Sequence, residues 1–339
     1  PDVIYAMCRD ERDLLNKFLT AWTHEDWAPD VVTGWNVELF DIPYLVNRIR
    51  RILGEKNVKM LSPWGQVYNR EIVRGKSSSN PSKSLENRVD VVYELQGIAV
   101  LDYLQLYKKF SFTNQESYKL DHIASVELGE KKVDYSEYGS LNDLYEKNFE
   151  LFIDYNINDV VLVDKLEDKL GLIQQVFALA YDAKVNYNDV LTTVRPWDVI
   201  IHNYLMSKKI VIPQFKRQSD DFNLVGGHVK DPQIGMHKWV VSFDLNSLYP
   251  HLIMQYNISP ETFVERLDSF PTIDQLLDKT SDYEYSDDWS YAANGCVYRK
   301  NRQGFLPELM EKMYNDRSSY KKQMIEAKKR YEKTKSVED

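Results

Sequence analysis

Residues 242–250 read Ser242-Phe243-Asp244-Leu245-Asn246-Ser247-Leu248-Tyr249-Pro250. Three apolar residues, Trp239, Val240 and Val241, lead into them and predict a strand ending at a single carboxylate, Asp244. A polar turn follows, then an apolar helical stretch opening across residues 247–250. A strand that ends in Asp beside a helix start can hold a metal ion and a phosphate side by side. The carboxylate is a hard oxygen donor of the kind Mg²⁺ prefers. The free backbone N–H groups of the helix start form an anion cradle. Nucleotidyl transfer needs both. The plainer alternative is that Asp244 only N-caps a helix.

The string Phe243-Asp244 followed by Ser247-Leu248-Tyr249-Pro250 resembles motif A of the family B DNA polymerases. The continuation Asn257-Ile258-Ser259-Pro260-Glu261-Thr262 resembles the T-even phage branch of that family. The resemblance implies that Asp244 ligates both catalytic metals and that the Leu245 carbonyl helps hold the nucleotide-bound one. It implies that the amides of Ser247, Leu248 and Tyr249 hold the triphosphate. The Tyr249 ring would lie under the sugar and exclude a 2′-hydroxyl; outside the motif it reads equally as core packing.

Length and composition set wide bounds. The chain has 339 residues, enough for two or more domains. Hydrophobic content of 43% and charged content of 28% are those of a globular protein. A net charge of −9 argues against coating DNA by bulk charge but leaves room for local basic channels. Cys8 and Cys296 lie far apart without metal-ligand spacing, so a reduced setting is expected. No apolar run reaches the roughly 18–20 residues of a membrane span, and no signal peptide is visible. Pro1 leads almost at once into strand-like sequence, and the last residues stop inside a charged helical pattern. These ends predict a fragment of a longer chain, with an engineered boundary as the alternative.

The first region alternates strand and helix signals, as an α/β domain does. Helices are expected over 11–22 and 42–53, the second with Pro43 in its first turn and Gly54 after its end. Strands are expected over 30–35 and 89–101, and helical patterning over 141–170. Residues 69–88 hold five Lys/Arg against two Glu around a Ser-rich loop tip. On its own this is a solvated surface hairpin; by resemblance it is the hairpin that helps separate a primer end from its template. Residues 171–205 read as mostly helical and 210–213 as a strand. Gly226-Gly227-His228 is a turn signal that resembles the element joining exonuclease and polymerase regions. Residues 268–290 read as an acidic, solvated insert. Residues 306–335 read as one long helix. The six histidines are scattered and read as structural.

Two further carboxylates stand in recognisable frames. Asp41 follows Gly34-Trp35-Asn36-Val37-Glu38-Leu39-Phe40 at the start of a helix, where an N-cap is the ordinary role. Asn36 with Phe40-Asp41 resembles the second exonuclease motif of proofreading polymerases. Tyr155 and Asp159 lie one helical turn apart on one face, by themselves an exposed helix pair. They resemble the third exonuclease motif, Tyr-x-x-x-Asp. The resemblance implies that Asp41 and Asp159 bind metal and that Tyr155 orients the water or the scissile phosphate. Two-metal chemistry needs clustered carboxylates. The family's Asp-x-Glu, expected on an earlier strand, has no candidate before Asp41; Asp10-Glu11 is adjacent and opens a helix.

Gly304-Phe305-Leu306-Pro307 leads to Arg317 and Lys321, one turn apart. Such pairs are usually a solvated face. The spacing resembles the first fingers helix, whose Arg and Lys bind the incoming triphosphate. The second fingers motif and the palm's Asp-Thr-Asp are absent from the sequence. By resemblance the fold class is α/β. A partial ribonuclease-H-like 3′→5′ exonuclease domain (1–171) is followed by a returning N-terminal-domain segment (172–215). Then come a partial α+β palm (216–303) and the first fingers helix (304–339). The parent would be a template-directed DNA polymerase with 3′→5′ proofreading, acting in the cytoplasm of an infected bacterial host. It would use two Mg²⁺ per site, with Mn²⁺ able to substitute. Its partners would be primer–template DNA, a single-stranded 3′ end, dNTPs and a sliding clamp whose binding tail is not in this sequence; no membrane is implied. This chain alone is expected to be inactive at both sites. The alternatives are a free-standing nuclease and a non-catalytic DNA-binding remnant.

Overall fold

The structure is a computed structural model that describes residues 5–74, 88–111, 113–213, 229–280 and 283–335. The chain divides into two compact units, Pro1–Asp221 and Phe222–Asp339. No helix among the described residues is long and apolar enough to cross a membrane. Gly226, Gly227, His228 and the tip of the basic hairpin lie outside the described residues.

The first unit opens with α1 (Glu11–Trp22), β1 (Val31–Gly34), α2 (Asp41–Ile52) and a short α3 (Glu55–Val58). The ribbon of β2 (Val67–Arg74) and β3 (Arg88–Leu95) comes next, then β4 (Ala99–Asp102) and α4 (Tyr103–Phe110). Five helices complete it: α5 (Leu120–Leu128), α6 (Leu141–Lys147), α7 (Phe149–Leu170), α8 (Leu172–Ala183) and α9 (Arg195–Ser207). Local signals account for most boundaries. Asp10 caps α1 by accepting from the Asp13 N–H, and Asn148 caps α7 by accepting from the Leu151 N–H. Gly171 ends α7 in the left-handed conformation.

β1 and β4 pair in parallel, Val31 opposite Ala99 and Gly34 opposite Asp102. Side chains alternate across a strand, and each face of this pair meets its own core. Val31 and Leu101 join Tyr103, Leu106, Ile123, Leu166 and Val176. Val32 and Val100 join Leu15, Leu19, Val46 and Ile49. The parallel pair is thus covered on both faces by helices, as parallel sheets are. The expected single strand over 89–101 is instead two. The chain turns at Gly97 (φ +91°), where a Cβ would sit 2.6 Å from Pro63 Cγ. β3 then belongs to the antiparallel ribbon and β4 to the parallel pair. Residues 210–213 form no strand. Lys209 takes a left-handed φ of 59°, and the Ile210 N–H closes the end of α9 on the Leu205 carbonyl.

The second unit contains α10 (Leu248–Tyr256), β5 (Phe263–Arg266), α11 (Ile273–Leu277), β6 (Trp289–Tyr291), β7 (Cys296–Arg299) and α12 (Phe305–Thr334). The strands form an antiparallel sheet in the order β5-β7-β6. Within residues 268–290, read as a solvated insert, Phe270, Tyr283 and Tyr285 gather with Tyr291 in a partly exposed aromatic cluster. The strand expected over 239–241 is absent. Trp239 is 98% exposed and Phe243 92%. An apolar run becomes a strand only beside a ladder partner, and none of the described strands pairs with this one.

The Asn257–Thr262 segment turns out to be the joint of this unit. Buried Asn257 donates through Nδ2 to the carbonyls of Arg299 (2.6 Å) and Arg302 (2.8 Å). Its Oδ1 accepts from the Gly304 N–H at 2.8 Å. Glu261 accepts from the Phe305 N–H at 2.6 Å, placing a carboxylate at the start of α12, where the helix dipole favours it. Gly304 is the residue that fits: a Cβ there would lie 2.5 Å from Ser259 Cβ. Asn257→Ala strands three backbone groups and is expected to destabilise the chain by about 2–4 kcal/mol. Urea denaturation followed by circular dichroism measures this; a loss under half that size contradicts the joint.

Candidate active site

Asp102 organises the first candidate site. It ends β4, is 1% exposed, and caps α4 by accepting from the Leu104 N–H at 3.0 Å. The same carboxylate accepts from the Asn36 N–H (3.1 Å) and the Glu38 N–H (3.2 Å). Those two amides belong to the turn after β1, in which Asn36 adopts a left-handed φ of 68°. Asn tolerates this conformation better than most residues. Within the turn the Phe40 N–H returns to the Asn36 carbonyl, and the Ile42 N–H to that of Val37. Trp35 pins its start by donating to the Tyr118 carbonyl at 3.1 Å. Asp41 is therefore delivered at the first position of α2 by a turn with little freedom. Phe40 is 64% exposed and lies parallel to the Tyr44 ring.

On α7, Tyr155 and Asp159 share a partner, as one helix face requires. Lys132 Nζ donates to Asp159 Oδ2 at 2.6 Å and to the Tyr155 hydroxyl oxygen at 3.3 Å. Burial draws the Lys132 pKa down, but the hydrogen bond and charge of Asp159, with Tyr155, outweigh it and leave it raised. Asn36, Asp41, Lys132 and Asp159 line one cleft of about 980 Å³. Asp41 and Asp159 thus line the same cleft, from distant parts of the domain sequence. Asp102 and Lys132 were not singled out from the sequence. Asp102 carried a usable signal, since it too is an Asp between an apolar strand and a helix. Lys132 stands in a polar loop and carried none.

Asp41 and Asp159 are the carboxylates of this cleft that could hold a divalent cation. Asp159 Oδ1 is buried without a hydrogen-bond partner. Surrounding protein atoms push the Asp41 carboxyl above its usual range, and the negative charge of Asp102 adds to this. Burial likewise raises Asp102, against the pull of its backbone N–H bonds, and raises Glu38, where Asp102 adds and Arg70 opposes. Among the described residues, no three His, Cys, Asp or Glu side chains gather as a complete metal-binding group.

The second candidate site lies in the other unit. Ser247 precedes α10 in a left-handed conformation (φ 53°), and no side chain caps the helix start. Arg317 of α12 donates through Nη1 to Ser247 Oγ at 3.0 Å. His251 and Tyr314 join the two helices edge to face at 4.7 Å. Two motifs 70 residues apart thus meet at the open start of α10. Leu245 is 71% exposed and Tyr249 75%. Asp244 and Lys321 are exposed as well.

Comparison with known proteins identifies the family. Residues 1–123 match the exonuclease domain of DNA polymerase family B, and residues 195–337 match DNA polymerase family B itself. The chain belongs to family B of the DNA polymerases. It is 37% identical over 323 residues to the DNA-directed DNA polymerase of Enterobacteria phage T4, covering 95% of this chain and 34% of that one. It is 39% identical over 327 residues to that of Escherichia phage RB69, covering 96% and 34%. Identity to the DNA polymerase delta catalytic subunit of Schizosaccharomyces pombe is 28% over 317 residues, covering 90% and 27%. The chain spans about a third of the length of these phage relatives.

The raised Asp41 pKa has a signed consequence. A carboxylate whose pKa is higher in the folded state contributes full stability below its unfolded value, and that contribution is lost as pH rises through the folded value. Asp41→Asn removes the penalty. Without divalent cations, its stability relative to the wild type is expected to grow as pH rises through and above the ordinary carboxylate range. Thermal melts across that range test this, and an advantage that shrinks with pH contradicts it.

Proposed function

We propose that the parent protein carries out template-directed DNA synthesis with 3′→5′ proofreading, and that this chain holds part of each site. The observation that carries the reading is the meeting of Asp41, Asn36 and Asp159 in one cleft. Their motifs are far apart in sequence, and phosphodiester hydrolysis by two metals requires such convergence. The parallel β1–β4 pair, covered by helices on both faces, supports a partial ribonuclease-H-like exonuclease domain over 1–171. The β5-β7-β6 sheet with α10 supports a partial α+β palm over 216–303. The segment 172–215 would return from the N-terminal domain, and 304–339 would be the first fingers helix.

In the exonuclease site Asp41 and Asp159 would hold Mg²⁺, with Mn²⁺ able to substitute. The bound ions would supply an activated water and charge stabilisation at the leaving oxygen. Asp102 keeps the Asn36–Phe40 turn in place, so Asp41 need not be ordered when substrate arrives. Lys132 holds the Tyr155 hydroxyl beside Asp159, where Tyr155 would orient the water or the scissile phosphate. In the polymerase site Asp244 and the Leu245 carbonyl would ligate metal. The amides of Ser247, Leu248 and Tyr249, with Arg317 and Lys321, would hold the dNTP triphosphate. Arg offers a planar fork and Lys a point charge for that purpose. The exposed Tyr249 ring is free to lie under a sugar. The substrates would be primer–template DNA, an unpaired 3′ end and dNTPs, with a sliding clamp as partner, in the cytoplasm of an infected bacterium.

In the parent protein, Asp41→Asn and Asp159→Asn are each expected to lower Mg²⁺-dependent mononucleotide release from single-stranded DNA by about 10³-fold or more, the scale of losing a group that acts in the transition state. Primer extension is expected to persist. Undiminished release from both variants contradicts the assignment. Tyr249→Ala in the parent is expected to admit ribonucleotides, measured as the ratio of rNTP to dNTP incorporation; an unchanged ratio removes the steric role. The present chain alone is not expected to extend a primer, because the Asp-Thr-Asp motif that the resemblance pairs with Asp244 is absent from this sequence. Template-dependent incorporation by the purified chain would show otherwise.

A further inference from the structure

The helix that carries Asp159 is hydrogen-bonded to the residue that follows Asp102. Tyr103 opens α4 and is fully buried. Its hydroxyl donates to Glu167 Oε2 at 3.1 Å. Burial, with the charge and hydrogen bond of Glu167, pushes the Tyr103 pKa up, so the hydroxyl keeps its proton and stays a donor. Its ring packs on Trp35, centroids 6.3 Å apart, and Trp35 starts the turn that delivers Asp41. Glu167 stands on α7, about 12 Å along the helix axis from Asp159. The same carboxylate accepts from the Ile173 N–H (3.0 Å) and the Gln174 N–H (3.3 Å) in the first turn of α8, a helix whose N-cap residue supplies no side-chain bond. Glu167 is therefore an anchored acceptor. Tyr103, Asp159 and Glu167 line the cleft that also holds Asp41. Leu162, Val163 and Leu166 pack α7 into the core around Leu101 and Leu106. Apolar burial is non-directional; it holds the helix down but sets its rotation and slide loosely. Other polar ties of α7 run to α5 and the loop after it. Lys165 pairs with Glu130, Lys169 donates to the Glu127 carbonyl, and Tyr155 and Asp159 meet Lys132. α4 reaches Lys169 only by way of Glu127, which accepts from Tyr107 at 2.7 Å. Among the described residues, Tyr103–Glu167 is the one direct side-chain hydrogen bond from α7 to β1, its turn, β4 or α4.

We propose that Tyr103 and Glu167 are positioning residues that set the rotation of α7, so that Asp159 shares the cleft with Asp41 in a geometry one cation can bridge. The proposal rests on the reading of this cleft as a metal-dependent hydrolytic site. The apolar contacts and the hydrogen bond act together: the first supply the packing, the second its direction. Neither residue is given a contact with the metal or the scissile phosphate.

Tyr103→Phe keeps the ring and removes only the donor. Amide residual dipolar couplings on the metal-free chain read the orientation of α7 directly. Tyr103→Phe is expected to shift the α7 couplings as a group relative to those of α4. It is also expected to raise the Mn²⁺ concentration that half-broadens the amides around Asp159 by about fivefold, the scale of couplings passed through packed elements. Ile123→Val opens a small cavity in the same core without removing a hydrogen bond. It is expected to lower the melting temperature with neither change. Couplings of α7 unaltered by Tyr103→Phe overturn the proposal. A wild-type Mn²⁺ response in Tyr103→Phe, or an equal loss of Mn²⁺ in Ile123→Val, overturns it too. If Mn²⁺ broadens neither carboxylate region in the wild-type chain, the metal-site reading falls instead, and the couplings alone decide whether the pair aligns α7.

Discussion

The buried carboxylate of Asp102 is the constraint on which the first unit depends. It ends a strand, caps a helix and binds two amides of the neighbouring turn. A buried carboxylate without such donors would be costly, and a turn with a left-handed Asn36 would be poorly held without such an acceptor. Each solves the other's problem. The result is a fixed launch point for α2, and Asp41 stands at that point. The residue that positions the site is thus distinct from the residues that would ligate metal in it.

The Asn257–Thr262 segment plays the comparable part in the second unit. Asn257, Ser259 and Glu261 supply acceptors to the start of α12. This ties the first turns of that helix to the end of α10, and the α10–α12 packing then brings Arg317 to Ser247. A stretch that served in the sequence as a lineage marker is, physically, the clasp that aligns the open start of α10 with Arg317 of α12. Both units use one device: a polar side chain that satisfies backbone groups of a distant segment and so fixes a candidate site residue.

Much of this was legible in the sequence where the signals were local. The helices α1, α2 and α12 follow from caps, Pro and Gly placement, and apolar spacing. The turn at Gly97 was not, because the residues on either side of it continue an apolar pattern and only the approach of Pro63 shows that the chain must bend. The strand expected at residues 239–241 failed for a related reason. Hydrophobicity announces that a segment is to be buried but does not supply the partner strand. Asp41, Tyr155 and Asp159 were found through motif frames, whereas Lys132 joins Tyr155 and Asp159 from a loop 23 and 27 residues away, a tertiary fact with no sequence signature.

The most direct test of the account is whether one cation sees both carboxylates of the first unit. Paramagnetic broadening by Mn²⁺, followed in the amide NMR spectrum of the chain, measures this. The account predicts that the amides around Asp41 and those around Asp159 broaden together at the lowest Mn²⁺ concentrations, and that Asp41→Asn weakens the broadening at both. Broadening at one of them alone, or first at the acidic surface around residues 284–288, would contradict a shared metal site in this cleft.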